Sequence, residues 1–258
     1  MPVINSYIHA GSAAPPTGNL LAGVSVDSAV SASLNTITRG RHAASFQAVS
    51  SEANLSTQTL SFNTLATSTQ HSKRLLVFTI GVNYGSSGNI TSVSYGGSSC
   101  TRAIGTASTA DKGSTEIWYV TLPNNPANNN LIVTANQVIQ KISVTREVLL
   151  NMISNAPNDT AIVKKNSDQS VQFNMRHPSN GVSFLGSAFW WSGNSAGNGT
   201  YPIGGATKTN QDFGDAGLEF LTNQAIYVSA TQTNGKEWGN LLNGPGSPDN
   251  EMCGASWQ

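Results

Sequence analysis

Charge is the scarcest ingredient of this 258-residue chain. Lys and Arg together number 13, Asp and Glu another 13, and the formal net charge is zero. Charged residues make up 10% of the chain, against about 25% in a typical soluble domain. Such a chain has no basic field for nucleic acid or an anionic membrane surface, and neither is expected as a partner. Cysteine is nearly absent too. Cys100 and Cys253 are too few for a disulfide framework and match no zinc-ligand spacing. They read as two small buried apolar residues, or as a single bridge if their strands are neighbours. His9, His42, His71 and His177 stand apart from one another and from both cysteines, so no metal and no cofactor is expected. No apolar run approaches the roughly 20 residues of a membrane helix. The opening stretch has neither the basic region nor the apolar core of a secretory signal.

Ser, Thr, Asn and Gly fill the space that charge leaves. They keep a surface wet with short side chains, favour turns and extended segments, and perform poorly inside helices. Residues 1–50, with Pro15-Pro16 and scattered aliphatics, read as an extended N-terminal arm; Arg39, Arg41 and His42 near its end read as a solvated patch in a loop. From residue 51 to residue 258 the pattern is that of one all-β domain, an antiparallel β-sandwich. "LSFNTL" alternates. "RLLVFTIGV" (Arg74–Val82) is a continuous apolar run suited to a central strand buried on both faces. "NITSVSY" puts Thr91, Val93 and Tyr95 on one face and Ile90, Ser92 and Ser94 on the other. "STEIWYVTL" places Trp118 and Tyr119 on opposite faces, and "NLIVTAN" follows a Pro/Asn-rich turn.

"VIQKISVTREVLLNMI" has the β-branched content of a strand, with a short helix from Thr145 as the competing reading; the turn "SNAPND" closes it. "SVQFNM" and "GVSFLGSAFWW" are the next strands. Long Gly/Asn-rich loops are expected from Ser192 to about Gly217 and from Asn234 to Asn250, with "EFLTNQAIYVSATQT" between them and "EMCGASWQ" as a closing strand. Gly96-Gly97 fits a two-residue hairpin turn with positive φ, because no helix follows it that could make it a phosphate cradle. After the turn, Cys100, Arg102 and Ile104 alternate onto one face.

The order "RLLVFTIGV", "ITSVSYGGSSCTRA", "STEIWYVTLPNNPANNNLIVTA", "VSFLGSA", "MCGASW" resembles a jelly-roll or immunoglobulin-like β-sandwich family found in phage virion proteins and bacterial surface proteins. That family's pattern is a buried strand, "TSVTYGG-x-x-LT", an "ELWYL" strand, a proline turn and "x-V-x-V-T". The match spans roughly residues 57–258, is most specific over Ser92–Tyr119, and departs from the pattern between Leu149 and Asp159. Cys100 stands where the family carries an aliphatic residue. The resemblance implies a fold and a virion or surface context, and it brings no catalytic residues.

The chemistry-bearing motifs are weak. "GNSAG" (Gly193–Gly197) matches G-x-S-x-G, yet no helix pattern and no histidine follow it. "GGATKT" (Gly204–Thr209) lacks the Gly-Lys-Ser/Thr core of a phosphate loop. Asp212, Asp215 and Glu219 form an acidic cluster that could offer oxygen ligands to Ca²⁺; a solvated turn is the preferred reading. His177, before Pro178, reads as a turn residue. Glu116 and Trp118 share one strand face, as an acid and an aromatic platform would in a sugar site, but packing is the preferred reading.

The expected function is that of a non-enzymatic bacteriophage virion structural protein, a capsid decoration or cement protein anchored by its arm. A tail-tip or appendage protein and a carbohydrate- or receptor-binding module are the alternatives. The expected partners are the major capsid protein or other virion proteins, with homo-oligomers, trimers favoured, assembled in the host cytoplasm and displayed on the particle surface. Val3, Ile4, Tyr7, Ile8, Leu20 and Leu21 are the candidate partner contacts on the arm.

Overall fold

The computed structural model describes residues 38–42, 58–63, 74–84, 86–105, 113–122, 124–150, 153–165, 170–190, 198–203, 206–213, 220–229, 231–243 and 249–258. Among them there is no helix. In chain order the strands are β1 (Thr38–His42), β2 (Thr59–Asn63), β3 (Leu75–Tyr84), β4 (Ile90–Tyr95), β5 (Ser98–Ser99), β6 (Thr101–Gly105), β7 (Gly113–Thr121), β8 (Asn130–Ala135), β9 (Ile139–Leu150), β10 (Asp159–Lys165), β11 (Ser170–His177), β12 (Gly181–Trp190), β13 (Asn198–Ile203), β14 (Thr207–Phe213), β15 (Phe220–Ser229), β16 (Thr233–Asn243) and β17 (Asp249–Trp257). They form four antiparallel sheets. Sheet I runs β2-β8-β4-β5, sheet II β1-β9-β3-β7-β6, sheet III β10-β17-β12-β15-β14, and sheet IV β11-β16-β13.

Three cores set the order of the layers. Leu76, Phe78, Ile80 and Val82 of β3 meet Val93 and Tyr95 of β4 and Leu131 and Val133 of β8, closing sheet I onto sheet II. The other row of β3, Leu75 and Val77, meets Phe184 of β12 and Ala255 and Trp257 of β17, closing sheet II onto sheet III. Leu185 and Met252, on the far face of sheet III, meet Val171, Met175 and Trp238 of sheet IV. The antiparallel β-sandwich read from the sequence is therefore present, as two sandwiches set back to back. The double-sided burial explains why β3, β7, β9, β12 and β17 carry apolar or small residues in both rows. Water meets the outward faces of sheets I and IV, where Thr59, Ser61, Thr91, Ser92, Gln172, Asn174, Arg176 and Glu237 are exposed. Those faces account for the Ser/Thr/Asn-rich, weakly charged composition.

The seam between sheets II and III is greasy at one end and polar at the other. Toward the polar end, Thr79, Thr115 and Ser143 of sheet II face Gly186, Gln224 and Glu251 of sheet III, and all of these polar side chains are buried. Gln224 Nε2 donates across the seam to the Thr79 carbonyl at 2.8 Å and the Ser143 carbonyl at 3.2 Å. Glu251 Oε1 accepts the Thr115 amide at 3.0 Å. At Gly186 the sheets come so close that an added Cβ would overlap Thr115 Oγ1 and Thr79 Cγ2.

Several local readings change. Ile90 was expected to face away from Val93 and Tyr95, with Thr91 beside them. A register shift between Ile90 and Ser92 instead turns Ile90 into the core and leaves Thr91 exposed. A second bulge, between Arg102 and Ile104, separates residues expected on one face: Arg102 reaches Trp118, while Ile104 packs into the seam between sheets II and III. The helix alternative for "VIQKISVTREVLLNMI" is not adopted, and β9 runs through it as a strand. The loops expected at 192–217 and 234–250 contain β13, β14 and β16, held by cross-strand pairing that outweighs weak local propensity. "DTAIVKK", unassigned in the sequence reading, is β10. Residues 38–42, placed in the arm, pair with β9 as the edge strand of sheet II.

The glycine hairpin is as read. Gly96 and Gly97 have φ of 58° and 85°, and Tyr95 pairs with Ser98 around them. Arg74 supports it from below. Its guanidinium donates to the Leu122 and Asn124 carbonyls at 2.6 Å each and to Asn125 Oδ1 at 2.8 Å. This fixes the Pro/Asn loop that carries Pro126 under Gly96. A Cβ at Gly96 would overlap the Pro126 ring, whereas Gly97 faces open space. Gly97→Ala is expected to cost only the left-handed backbone penalty, about 1–2 kcal/mol. Gly96→Ala adds the proline clash and is expected to lower the chemical-denaturation midpoint clearly further; equal midpoints for the two variants would contradict this account.

Candidate functional site

The described chemistry gathers at one end of the interface between sheets I and II. Sequence alternation places Ser114, Glu116 and Trp118 of β7 on the face toward sheet I, beside Ile80 and Phe78 of β3. Glu116 is fully buried. Its Oε2 accepts the Trp118 indole N–H at 2.8 Å and lies 3.0 Å from Arg102 Nε. The Arg102 guanidinium stacks 4.8 Å from the Trp118 ring centroid and donates through Nη2 to the Ile90 carbonyl. Tyr84 of β3 and Ser114 join their hydroxyls at 3.2 Å nearby. The cluster fastens β6 and β7 of sheet II to the start of β4 in sheet I.

Burial dominates the electrostatics here. It pushes the Glu116 carboxyl up to about 7, against the pull of Arg102, the Trp118 N–H and the Ile90 amide. Oε1 is left buried without a well-formed hydrogen bond. Burial, reinforced by the Glu116 charge, holds the Tyr84 phenol well above its ordinary value. An acid titrating near neutrality is a common mark of a working site. Trp118, however, is only 6% exposed beneath Arg102, so it offers no stacking platform to a sugar.

The other candidates are dispersed. Cys100 is half-buried against the core between sheets I and II, and Cys253 is fully buried in the seam between sheets II and III. Both are free thiols, so the bridge left open by the sequence is absent; burial pushes Cys100 up to about 12 and holds Cys253 well above the ordinary thiol value. His177 ends β11 and is buried, not solvated in the turn. Its Nδ1 lies 2.9 Å from Ser183 Oγ and its Nε2 3.3 Å from the Ser229 carbonyl, and the ring meets Tyr227 edge-on at 4.7 Å. Because a carbonyl can only accept, the proton sits on Nε2, and burial lowers the pKa to favour this neutral form. Lys236 reaches over the Tyr227 and Trp238 rings at 4.6 and 5.2 Å, closing that aromatic cluster.

Asp212 lies in β14, and Asp215 and Glu219 lie outside the described residues, as do "GNSAG" and all six arm residues Val3, Ile4, Tyr7, Ile8, Leu20 and Leu21. Among the described residues no group of three or more His, Cys, Asp or Glu side chains is placed to hold a metal ion. Sequence reasoning paired Glu116 with Trp118 but missed Arg102, because alternation along one strand does not say which strand lies beside it; Arg102 of β6 sits directly opposite Trp118 of β7. No family model, no curated protein and no solved structure matches this chain.

Glu116 gives the fold a defined pH dependence. Its folded pKa lies above the value of 4.5 for an unperturbed glutamate, so its contribution to stability is fully present below about pH 4.5. That contribution is lost as the pH rises through about 7, a difference of about 3 kcal/mol across the window. Glu116→Gln is expected to flatten that slope in urea titrations run at stepped pH; an unchanged slope would remove Glu116 as its source.

Proposed function

We propose that this chain is a non-enzymatic structural protein of a bacteriophage virion, a capsid decoration or cement protein that sits on the particle surface and grips it through its N-terminal arm, residues 1–50, chiefly the part before β1. The observation that carries the reading is β1. Thr38–His42, near the end of the arm, adds to the edge of sheet II in register with Arg146–Leu150. Strand addition at a sheet edge makes its affinity from backbone hydrogen bonds and places few demands on side chains, and it recurs where one segment grips another surface. Here it gives the arm a fixed point of departure from a rigid body. The stack suits a display role, because the central strands of its two inner sheets are buried on both faces and its outward faces carry mostly polar side chains.

The buried tryptophans weigh against the glycan-binding alternative. Among the described side chains Trp118, Trp238 and Trp257 are all interior, and a sugar platform needs an exposed ring; the side chains of Trp190 and Trp191 lie outside the described ones. The partners in this reading are the major capsid protein or neighbouring virion proteins, and further copies of the chain in a closed oligomer such as a trimer.

The test compares the full chain with a variant beginning at Thr38, which keeps β1. The variant is expected to unfold at the same midpoint and to fail to co-sediment with phage particles that lack the protein. Full-strength co-sedimentation of the variant would overturn the arm as the anchor; failure of the full chain to bind would overturn the virion reading itself.

A further inference from the structure

The Glu116–Arg102–Trp118 cluster is built so that one proton decides where the Arg102 side chain rests. Arg102 holds three partners, the Glu116 carboxylate, the Trp118 ring and the Ile90 carbonyl, while its side chain keeps 26% of its surface in water. Glu116 is held by two partners on Oε2 and by no well-formed hydrogen bond on Oε1. A buried carboxylate with one oxygen unsatisfied lacks much of what would compensate its lost hydration. The solvent-side guanidinium therefore has a low-cost alternative position, and the carboxylate has an incentive to accept a proton.

The groups that face Glu116 are few. Arg102 faces it from β6, Tyr84 from β3, and Trp118 and Ser114 flank it on β7. Glu251 and Cys253 of β17 act on the same cluster through sheet II. Among the described residues Arg102 is the one cation that faces Glu116 and no second acid touches its guanidinium, so protonation of the carboxyl removes the attraction that draws it inward.

We infer that Glu116 and Arg102 form a proton-operated latch on the joint between sheets I and II: closed while Glu116 is ionised, open when it is protonated, with Arg102 swung out to water, Trp118 uncovered and the tie to the Ile90 carbonyl released. The local and global effects have opposite signs. Acidification removes a buried charge and stabilises the fold as a whole, while it frees the one side chain that spans β6, β7 and β4. An ion pair that served only as a staple would loosen the joint and the fold together. The buried carboxyl's displacement toward neutrality places the transition close to pH 7.

Two NMR signals read the latch directly, the Trp118 indole N–H, assigned with Trp118→Phe, and the Arg102 Nε–H. In the full chain both are expected to shift together between pH 5.5 and 8.5 with a midpoint near 7. In Glu116→Gln both are expected to sit at their acid-side positions at every pH. Arg102→Gln, which keeps the buried acid and removes its counter-charge, is expected to move the indole midpoint to higher pH. The latch is overturned if the two wild-type signals do not move, if they titrate unchanged in Glu116→Gln, or if the Arg102→Gln midpoint stays where it was. Should Glu116→Gln not fold, the wild-type and Arg102→Gln titrations decide the matter alone.

Discussion

The central strands of two of the four sheets have no face toward water. Everything else in the molecule answers to that constraint. A central strand of sheet II or sheet III, such as β3, β9, β12 or β17, must present an acceptable residue in almost every position, inward and outward alike. Where it presents a polar one, the opposite layer must satisfy it. The seam between those sheets meets the requirement unevenly. Phe184, Ile226 and Trp257 fill one end with apolar volume, while the other is spanned by Gln224 and Glu251 reaching across to backbone groups. Gly186 lets the two layers come close enough for those bridges to form. Buried polar groups of this kind are costly when half-satisfied and specifying when complete, so the seam fixes one relative placement of the two sandwiches.

Much of this was legible in the sequence, and the reasons are local. "RLLVFTIGV" could only be an interior strand, and Gly96-Gly97 between two alternating segments could only be a tight hairpin. The missed strands share a different character. β16 is rich in Gly and Asn, and within its described stretch only Trp238 and Gly239 are buried, yet it is the middle strand of sheet IV because β11 and β13 pair on either side of it. No periodicity marks such a strand; its neighbours make it. The second sandwich did leave a trace. In a two-layer sandwich strands tend to alternate, and β3, β7, β9, β12 and β17 supply more doubly buried strands than two layers can use.

The candidate site was half legible for a similar reason. Period-two alternation brings Glu116 and Trp118 together without ambiguity. It cannot bring Arg102, which arrives by the pairing of β6 with β7, where the chain leaves sheet I for sheet II. That pairing converts an acid beside an aromatic, a pattern open to a sugar-binding reading, into an enclosed cluster with the indole covered. The arm residues proposed to contact a partner lie outside the described residues, so their role rests on sequence and on the position of β1.

The place of β17 in sheet III also governs how the chain must acquire its shape. That strand lies between β10 and β12, although it follows them in sequence by more than fifty residues. Until residue 257 has left the ribosome, the apolar rows of Val182, Phe184 and Leu185 have no neighbour on that side, and the seam with sheet II stays open. Sheet I and the β3–β7–β9 part of sheet II use only residues up to Leu150 and can close earlier. Synthesis thus passes through a stage with one finished sandwich carrying an uncovered greasy face, and pairing strands so distant in sequence is slow. A nascent chain held at that stage would be prone to associate with its own kind before it was complete.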